Sequence, residues 1–126
     1  RFDAMEKLHG EGDLLAASHA DAAFHLAIAH ASHNAVLTHV MSSLFGLLHT
    51  SISQSRQKIY AVPLTFDALS VQHRTIMDRI LAGDADGARD AADVHLAFVR
   101  DTVRRVEEDL ARDARAAAAR DVGDML

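Results

Sequence analysis

Residues 21–34, DAAFHLAIAHASHN, decide the fold class, because their apolar residues recur at helical spacing. On a helix, residues three or four positions apart share one face. Asp21 falls on the apolar face of this segment, and His25 lies beside it, where aliphatic side chains are usual. The stretch therefore predicts an amphipathic helix whose buried face carries an acid and an imidazole one turn apart.

The composition restricts the classes of protein that fit. The 126 residues suit one domain, and with one Pro, no Trp and 5% aromatic residues they favour helices over sheet. The net charge of −5 argues against nucleic-acid binding by this segment itself. The lack of cysteine excludes disulfides and thiolate metal sites. No apolar run approaches the roughly 18 residues of a membrane span, so we expect a cytoplasmic protein that does not bind membranes.

Five helices are predicted, separated by glycine, proline and N-cap signals. They run over residues 2–9, 14–32, 35–59, 65 or 70 to 83, and 85–120. Asp13, Asn34 and Asp84 are the expected N-caps, and Pro63 prevents the third helix from continuing. Short connections between long helices are typical of antiparallel neighbours. The predicted fold is therefore all-α, an antiparallel helical bundle, with a solvated C-terminal extension.

Three of the five helices carry metal-competent side chains on their apolar faces. These are Asp21 and His25 on the second helix, His73 on the fourth and His95 on the fifth. The third helix differs, because its apolar face has no charged interruption. We expect that face to consist of Val40, Leu44, Leu48 and Ile52.

A divalent metal would satisfy these four side chains together. An unpaired carboxylate in a bundle core costs several kcal/mol or becomes protonated, and buried imidazoles need partners. Three nitrogens and one oxygen suit Zn(II), Ni(II), Co(II), Cu(II) or Mn(II), among which the residues do not choose. Zn(II) is our first expectation.

A plainer interpretation competes with this one. The chain has nine histidines and 18 acidic residues, so one or two pairs of Asp and His four positions apart are expected by chance, and His9 with Asp13 is another such pair. A single histidine in an apolar face is more often a hydrogen-bonded core residue. The remaining histidines fall on or near polar faces, where we expect solvated or supporting roles. They are His9, His19, His30, His33, His39 and His49.

Three motifs resemble a known family. They are D-x-x-F-H-x-x-I-A-x-x-S-x-N from Asp21, Q-H-x-x-I-M-D-x-I-L-A-G-D from Gln72, and A-x-x-H-L from Ala92. In residues, order and spacing they are similar to the effector-binding FCD domain of GntR-type transcription regulators, in the FadR-like branch. The stretches SRQKIYAVP and AGDADGARDAADVHLAFV look most like the lactate-responsive LldR type.

The resemblance implies a helical bundle with an internal metal held by one Asp and three His. Position by position, these are Asp21, His25, His73 and His95. The resemblance also implies a non-enzymatic protein. It makes residues 1–126 a truncated FCD-like domain, without the family's winged helix-turn-helix DNA reader and first sensor helix. We expect a homodimer that contacts operator DNA only through that absent N-terminal domain.

A small carboxylate is the expected effector. Four protein ligands leave two open positions on a six-coordinate metal, which a 2-hydroxy acid such as L-lactate can fill with its carboxylate and hydroxyl. Asn34, Ser51, Ser55 and Arg56 are candidate effector contacts by position on the third helix or its cap. Arg56 can pair with the effector carboxylate. A helix cap for Asn34 and a surface ion pair for Arg56 are the plainer alternatives.

Three rival functions stay open at this point. A metal-dependent hydrolase needs an additional general base near the metal, and the apolar faces hold no surplus carboxylate. A plain helical dimerisation domain would bind no metal. A sensor for another acid, such as glycolate, pyruvate or a sugar acid, would keep the metal and change the ligand.

Overall fold

The computed structural model describes residues 1–47, 58, 59, 62 and 64–125. Within these residues the chain forms five helices and no strand, which confirms the predicted all-α class. The helices are α1 (Phe2–Gly10), α2 (Leu14–Ala31), α3 (Ala35–Leu47), α4 (Thr65–Leu81) and α5 (Ala85–Met125). Four of the observed starts lie within a residue of the expected ones, and α4 begins at Thr65, the earlier of its two expected starts. The predicted stretch of the third helix over 48–57 lies outside the described residues.

Local side-chain bonds start three of the helices. The bonds run from the Ala16 N–H to Asp13 Oδ1 at 2.9 Å, from Leu37 to Asn34 at 3.0 Å and from Gly87 to Asp84 at 2.9 Å. Each oxygen satisfies a backbone donor that has no partner within its helix. The three N-caps expected from the sequence are therefore confirmed.

Glycines at left-handed positions end two helices. Gly12 follows α1 with φ of +78°, and Gly83 follows α4 with φ of +70°. Residues with a Cβ adopt these angles at a cost, which is why glycine is favoured there. Gly87 has a different reason, because a Cβ at that position would collide with the Asp84 carboxylate that caps α5.

The buried apolar residues form two clusters. One cluster contains Ala17, Ile59 and Leu69, and the other contains Phe2, Met5 and Phe24. Half-buried Val99 of α5 packs on the first, and Met77 of α4 packs on the second. Both α2 and α4 contribute to both clusters, so the middle of each helix lies between two apolar layers.

Helix α1 packs on α4 through polar and aromatic contacts, whereas the end of α5 extends into solvent. The Ser70 hydroxyl of α4 donates to the Glu6 carboxylate of α1. His9 stacks on Phe66 with ring centroids 3.3 Å apart, and burial lowers the pKa of its imidazole. In α5, residues 107–123 are all exposed. The expectation of a solvated extension is confirmed over that range.

The predicted apolar face of α3 is wrong by about one residue. Val40 and Leu44 are 54% and 43% exposed, while Leu48 and Ile52 lie outside the described residues. Half-buried Met41 and Phe45 are the residues that face the interior. The segment is apolar on several sides, so periodicity alone could not choose which side α2 would cover.

The Asp84 cap predicts a pH-dependent contribution to stability. The Gly87 N–H, and after it the Arg79 guanidinium, lower the pKa of the Asp84 carboxyl from its ordinary value of 3.8. A carboxyl whose pKa is lower in the folded state stabilises the fold above its unfolded pKa. We expect Asp84→Ala to lower the melting temperature at pH 7, and the difference from the unaltered chain to shrink as the pH falls through the lowered pKa.

Asp84→Ser is the matched control, because a serine keeps the cap and removes the ion pair with Arg79. It should lie between the unaltered chain and Asp84→Ala in thermal melts from pH 7 to pH 2. A difference between Asp84→Ala and the unaltered chain that stays constant over this range would contradict the assignment.

Candidate metal centre

The four residues predicted to hold a metal lie together between the two apolar clusters. Asp21 and His25 project from α2 one turn apart, as the sequence predicts. His73 comes from α4 and His95 from α5. Asp21, His73 and His95 are buried, with 5%, 1% and 4% exposure. Three helices thus deliver one acid and three imidazoles to one point in the interior.

The ligand atoms converge closely. His73 Nε2 lies 3.3 Å from Asp21 Oδ1 and 3.2 Å from His95 Nε2. His25 Nε2 lies 3.6 Å from the same Asp21 oxygen. One nitrogen from each of the three imidazoles lies within 4.8 Å of the others. His25, His73 and His95 could therefore hold one metal ion, with the Asp21 carboxylate beside it.

These separations fit a shared cation. Two atoms that each lie about 2.0–2.1 Å from one zinc ion stand about 2.9–3.4 Å apart in adjacent positions. The His73–His95 and Asp21–His73 separations fall in this range. Two imidazole nitrogens at such a distance repel unless a proton or a cation lies between their lone pairs. The donor set, three nitrogens and one oxygen, suits a borderline divalent metal, and it does not select one.

Phe24 forms an apolar wall beside the imidazoles. Its ring centroid lies 5.3 Å from that of His25 and 5.1 Å from that of His73. Phe24 is itself 5% exposed. A wall of this kind excludes water and strengthens electrostatic interactions inside the site.

A small cavity opens on the cluster. It has a volume of about 170 Å³. Its walls are Asp21, His25, Met41, Phe45, Ile59, Leu69, His95, Leu96 and Val99. The polar atoms thus belong to the metal-competent residues, and the other walls are apolar. The sequence interpretation missed Met41 and Phe45 as cavity walls, although their spacing of four residues on α3 was the available signal.

A larger cleft lies at another part of the bundle. Its volume is about 440 Å³, and it is lined by Arg1, Phe2, Phe24, Ala27, Ile28, Ala31, Ser32, Met77, Ile80 and Leu81. None of these lining residues is a carboxylate or an imidazole. Chemistry rather than size therefore identifies the smaller cavity as the candidate site.

Gln72 contacts His95 from the side opposite the cluster. Its Oε1 atom lies 3.0 Å from His95 Nδ1. The sequence interpretation also missed this residue. The available signal was its place immediately before His73, at the start of the second motif.

Asn34 is the one predicted effector contact that falls among the described residues. Asn34 is exposed, caps α3 and is not among the walls of the small cavity. Its plainer role as a cap is thus the one observed, and its contact with an effector stays a prediction. Ser51, Ser55 and Arg56 lie outside the described residues, so their roles also stay predictions.

The other histidines have different surroundings. His19, His30, His33 and His39 are exposed, as expected from the polar faces. His9 is half-buried against Phe66, which the polar-face interpretation did not anticipate. His49 lies outside the described residues.

Comparison with known proteins identifies the family. The family model of the FCD domain matches residues 1–98. The chain belongs to the FCD domain family. The family resemblance drawn from the three motifs is thereby confirmed, and residues beyond 98 continue α5 past the matched region.

Three bacterial regulators are similar to this FCD domain. The chain is 54% identical over 99 residues to the "Putative L-lactate dehydrogenase operon regulatory protein" of Escherichia coli (strain K12). This match covers 79% of the chain and 38% of that protein. It is 33% identical over 104 residues to the Glc operon transcriptional activator of the same strain, a match that covers 82% of the chain and 41% of that protein. It is 31% identical over 100 residues to the HTH-type transcriptional regulator LutR of Bacillus subtilis (strain 168), a match that covers 79% of the chain and 45% of that protein.

The family assignment bears on function at a coarse level. The chain spans less than half the length of these curated relatives. It is an FCD domain, and it is similar to part of a protein named as a putative regulator of an L-lactate dehydrogenase operon. An FCD domain is a regulatory sensing domain, so the expectation that the chain is not an enzyme is confirmed. No helix among the described residues is both long and apolar enough to span a membrane.

Removal of one buried imidazole should abolish metal binding. We expect His73→Ala and His95→Ala to retain less than about 0.2 zinc per chain, because each loses a ligand and leaves a cavity. The unaltered chain, with zinc at 100 times its Kd, should gain about 2.7 kcal/mol of stability that these variants lack. Metal analysis and thermal melts with and without zinc measure both effects.

His30→Ala is the control, since His30 is an exposed histidine on the same helix as His25. It should bind zinc and melt as the unaltered chain does. Full zinc content together with an unchanged melting temperature in His73→Ala or His95→Ala would contradict the ligand set.

Proposed function

We propose that this FCD domain senses a small 2-hydroxy acid, with L-lactate as the first candidate, at a divalent metal held by Asp21, His25, His73 and His95. Zn(II) is the metal we propose first, with Ni(II) or Mn(II) as substitutes. The observation that carries the proposal is the convergence of these four side chains, three of which, Asp21, His25 and His95, line a small and otherwise apolar cavity.

The cavity limits the size of the ligand. Sites for drug-sized molecules have volumes of about 300–1,000 Å³, whereas this cavity has about 170 Å³. A ligand of a few heavy atoms fits that space. Met41, Phe45 and Ile59 offer it apolar contact, and the polar end must face the acid and imidazoles.

The metal-competent residues favour an anionic ligand group. When bound, a divalent cation supplies a Lewis acid with open positions for carboxylate and hydroxyl oxygens. Asp21 contributes one negative charge, and neutral imidazoles contribute none. The occupied site therefore keeps one positive charge, which matches a monocarboxylate better than a dicarboxylate. The buried position of Asp21 strengthens this charge matching, because screening by water is weak there.

The relatives' names favour lactate among monocarboxylates. The relative with 54% identity is named for an L-lactate dehydrogenase operon. L-lactate carries a hydroxyl on the carbon next to its carboxylate, so both groups could bind the same metal ion and close a five-membered ring with it. Glycolate shares this arrangement and is the closest competitor by chemistry.

The longer architecture of the relatives supports a wider proposal. The matched residues are 38–45% of those proteins. We propose that residues 1–126 are a truncated FCD domain and that the whole protein carries a winged helix-turn-helix reader before it. It would act in the cytoplasm as a homodimer on operator DNA. Effector binding would shift α2, α4 and α5 relative to one another, since these helices share the site.

The effector should stabilise the domain only when metal is present. With zinc bound, L-lactate at 100 times its Kd should stabilise the fold by about 2.7 kcal/mol, which corresponds to several degrees in melting temperature. Propionate, which lacks the hydroxyl, should give a much smaller shift. Thermal melts of zinc-loaded and chelator-treated protein, each with either acid, measure the difference.

Asp21→Asn is the informative variant, because it removes the charge and nearly preserves the shape. It should weaken zinc binding and thereby abolish the shift produced by L-lactate. Equal shifts from L-lactate and propionate, or an undiminished L-lactate shift after chelation, would contradict a metal-bound 2-hydroxy acid.

A further inference from the structure

Gln72 lies on the far side of His95 from the other metal-competent residues. Its Oε1 atom is 3.0 Å from His95 Nδ1, while His95 Nε2 is 3.2 Å from His73 Nε2. The two nitrogens of one imidazole ring thus have separate partners, one on each side. Both partners come from consecutive residues of α4, which directs one side chain to each side of the ring.

The contact assigns the proton on His95. An amide oxygen can only accept a hydrogen bond, so Nδ1 of His95 carries the proton and donates it to Gln72. In a neutral imidazole the other nitrogen then carries a lone pair in place of a proton. That lone pair belongs to Nε2, which is the atom that faces His73 and the cluster.

The position of Gln72 lets it act without lying in the cluster. It is half-buried and belongs to a groove of about 450 Å³ between α4 and α5, on the walls of which Thr75 and Val94 also lie. It is absent from the walls of the small cavity. Gln72 therefore lies between the groove and the Nδ1 side of the buried His95 ring.

We propose that Gln72 is a positioning residue, which holds His95 in the Nδ1–H tautomer and fixes its ring so that Nε2 points at the metal. This inference rests on the proposed metal site. Partners of this type typically change metal affinity about 10- to 100-fold when they are removed. The neutral amide orients the ring without adding a second negative charge beside Asp21, so the occupied site keeps its net positive charge.

Three variants of the 126-residue chain test this role. Gln72→Leu removes the acceptor at similar size and should weaken zinc affinity about 10- to 100-fold in competition with a chelator. Gln72→Glu keeps an acceptor and should bind zinc at least as tightly as the unaltered chain. Thr75→Val is the control, because Thr75 lies on the same groove one turn away and its hydroxyl donates to the Val71 carbonyl. It should leave zinc affinity unchanged.

A second measurement does not require metal. Long-range ¹H–¹⁵N NMR spectra of the metal-free chain at a pH of about 8, above the ordinary imidazole pKa of about 6.5, report which nitrogen of His95 carries the proton. The expected result is Nδ1–H in the unaltered chain and in Thr75→Val, with an increased share of Nε2–H in Gln72→Leu. A merely structural contribution of Gln72 would lower the melting temperature without changing this tautomer.

The outcomes separate this inference from the proposed function. An Nε2–H tautomer in the unaltered chain, or zinc affinity within about twofold in Gln72→Leu, overturns the role of Gln72 and leaves the metal site standing. Weak binding in Gln72→Glu equal to that in Gln72→Leu overturns it as well. Absence of zinc binding by the unaltered chain overturns the metal site and, with it, this inference.

Discussion

The packing of one buried carboxylate against a cluster of three imidazoles, two of which it approaches closely, is the interaction on which the interior of this domain depends. Asp21 and His73 are nearly inaccessible to solvent, and their facing atoms are 3.3 Å apart. A buried charge costs several kcal/mol unless it is paired. The two apolar clusters on either side cannot supply that pairing. The charge of the Asp21 carboxylate therefore has to be balanced within the cluster of imidazoles, by a shared proton or by a shared cation.

Much of the fold was predictable because its signals are local. Asp13, Asn34 and Asp84 each bond to a backbone N–H three residues ahead, so a short stretch of sequence contains the whole interaction. The face of α3 was not predictable in the same way. Both the expected set around Val40 and the observed set around Met41 are apolar, and only the packing against α2 distinguishes them.

The candidate site shows the same division. Asp21, His25, His73 and His95 were found because each interrupts an apolar face, a signal that each helix carries by itself. Gln72 was missed because it faces a groove, and its contact with His95 depends on how α4 lies against α5. Asn34 was predicted to contact the effector, and in the structure it caps α3. An asparagine at this position suits either role, so the sequence alone does not distinguish a helix cap from an effector contact.

X-ray absorption spectroscopy of the zinc-loaded chain tests the central claim most directly, since it reports the type and distance of the atoms around the metal. The account predicts about one zinc per chain, nitrogen and oxygen neighbours at about 2.0–2.1 Å, and outer-shell scattering from about three imidazole rings. Scattering from one imidazole or none, with oxygen neighbours in their place, would contradict it.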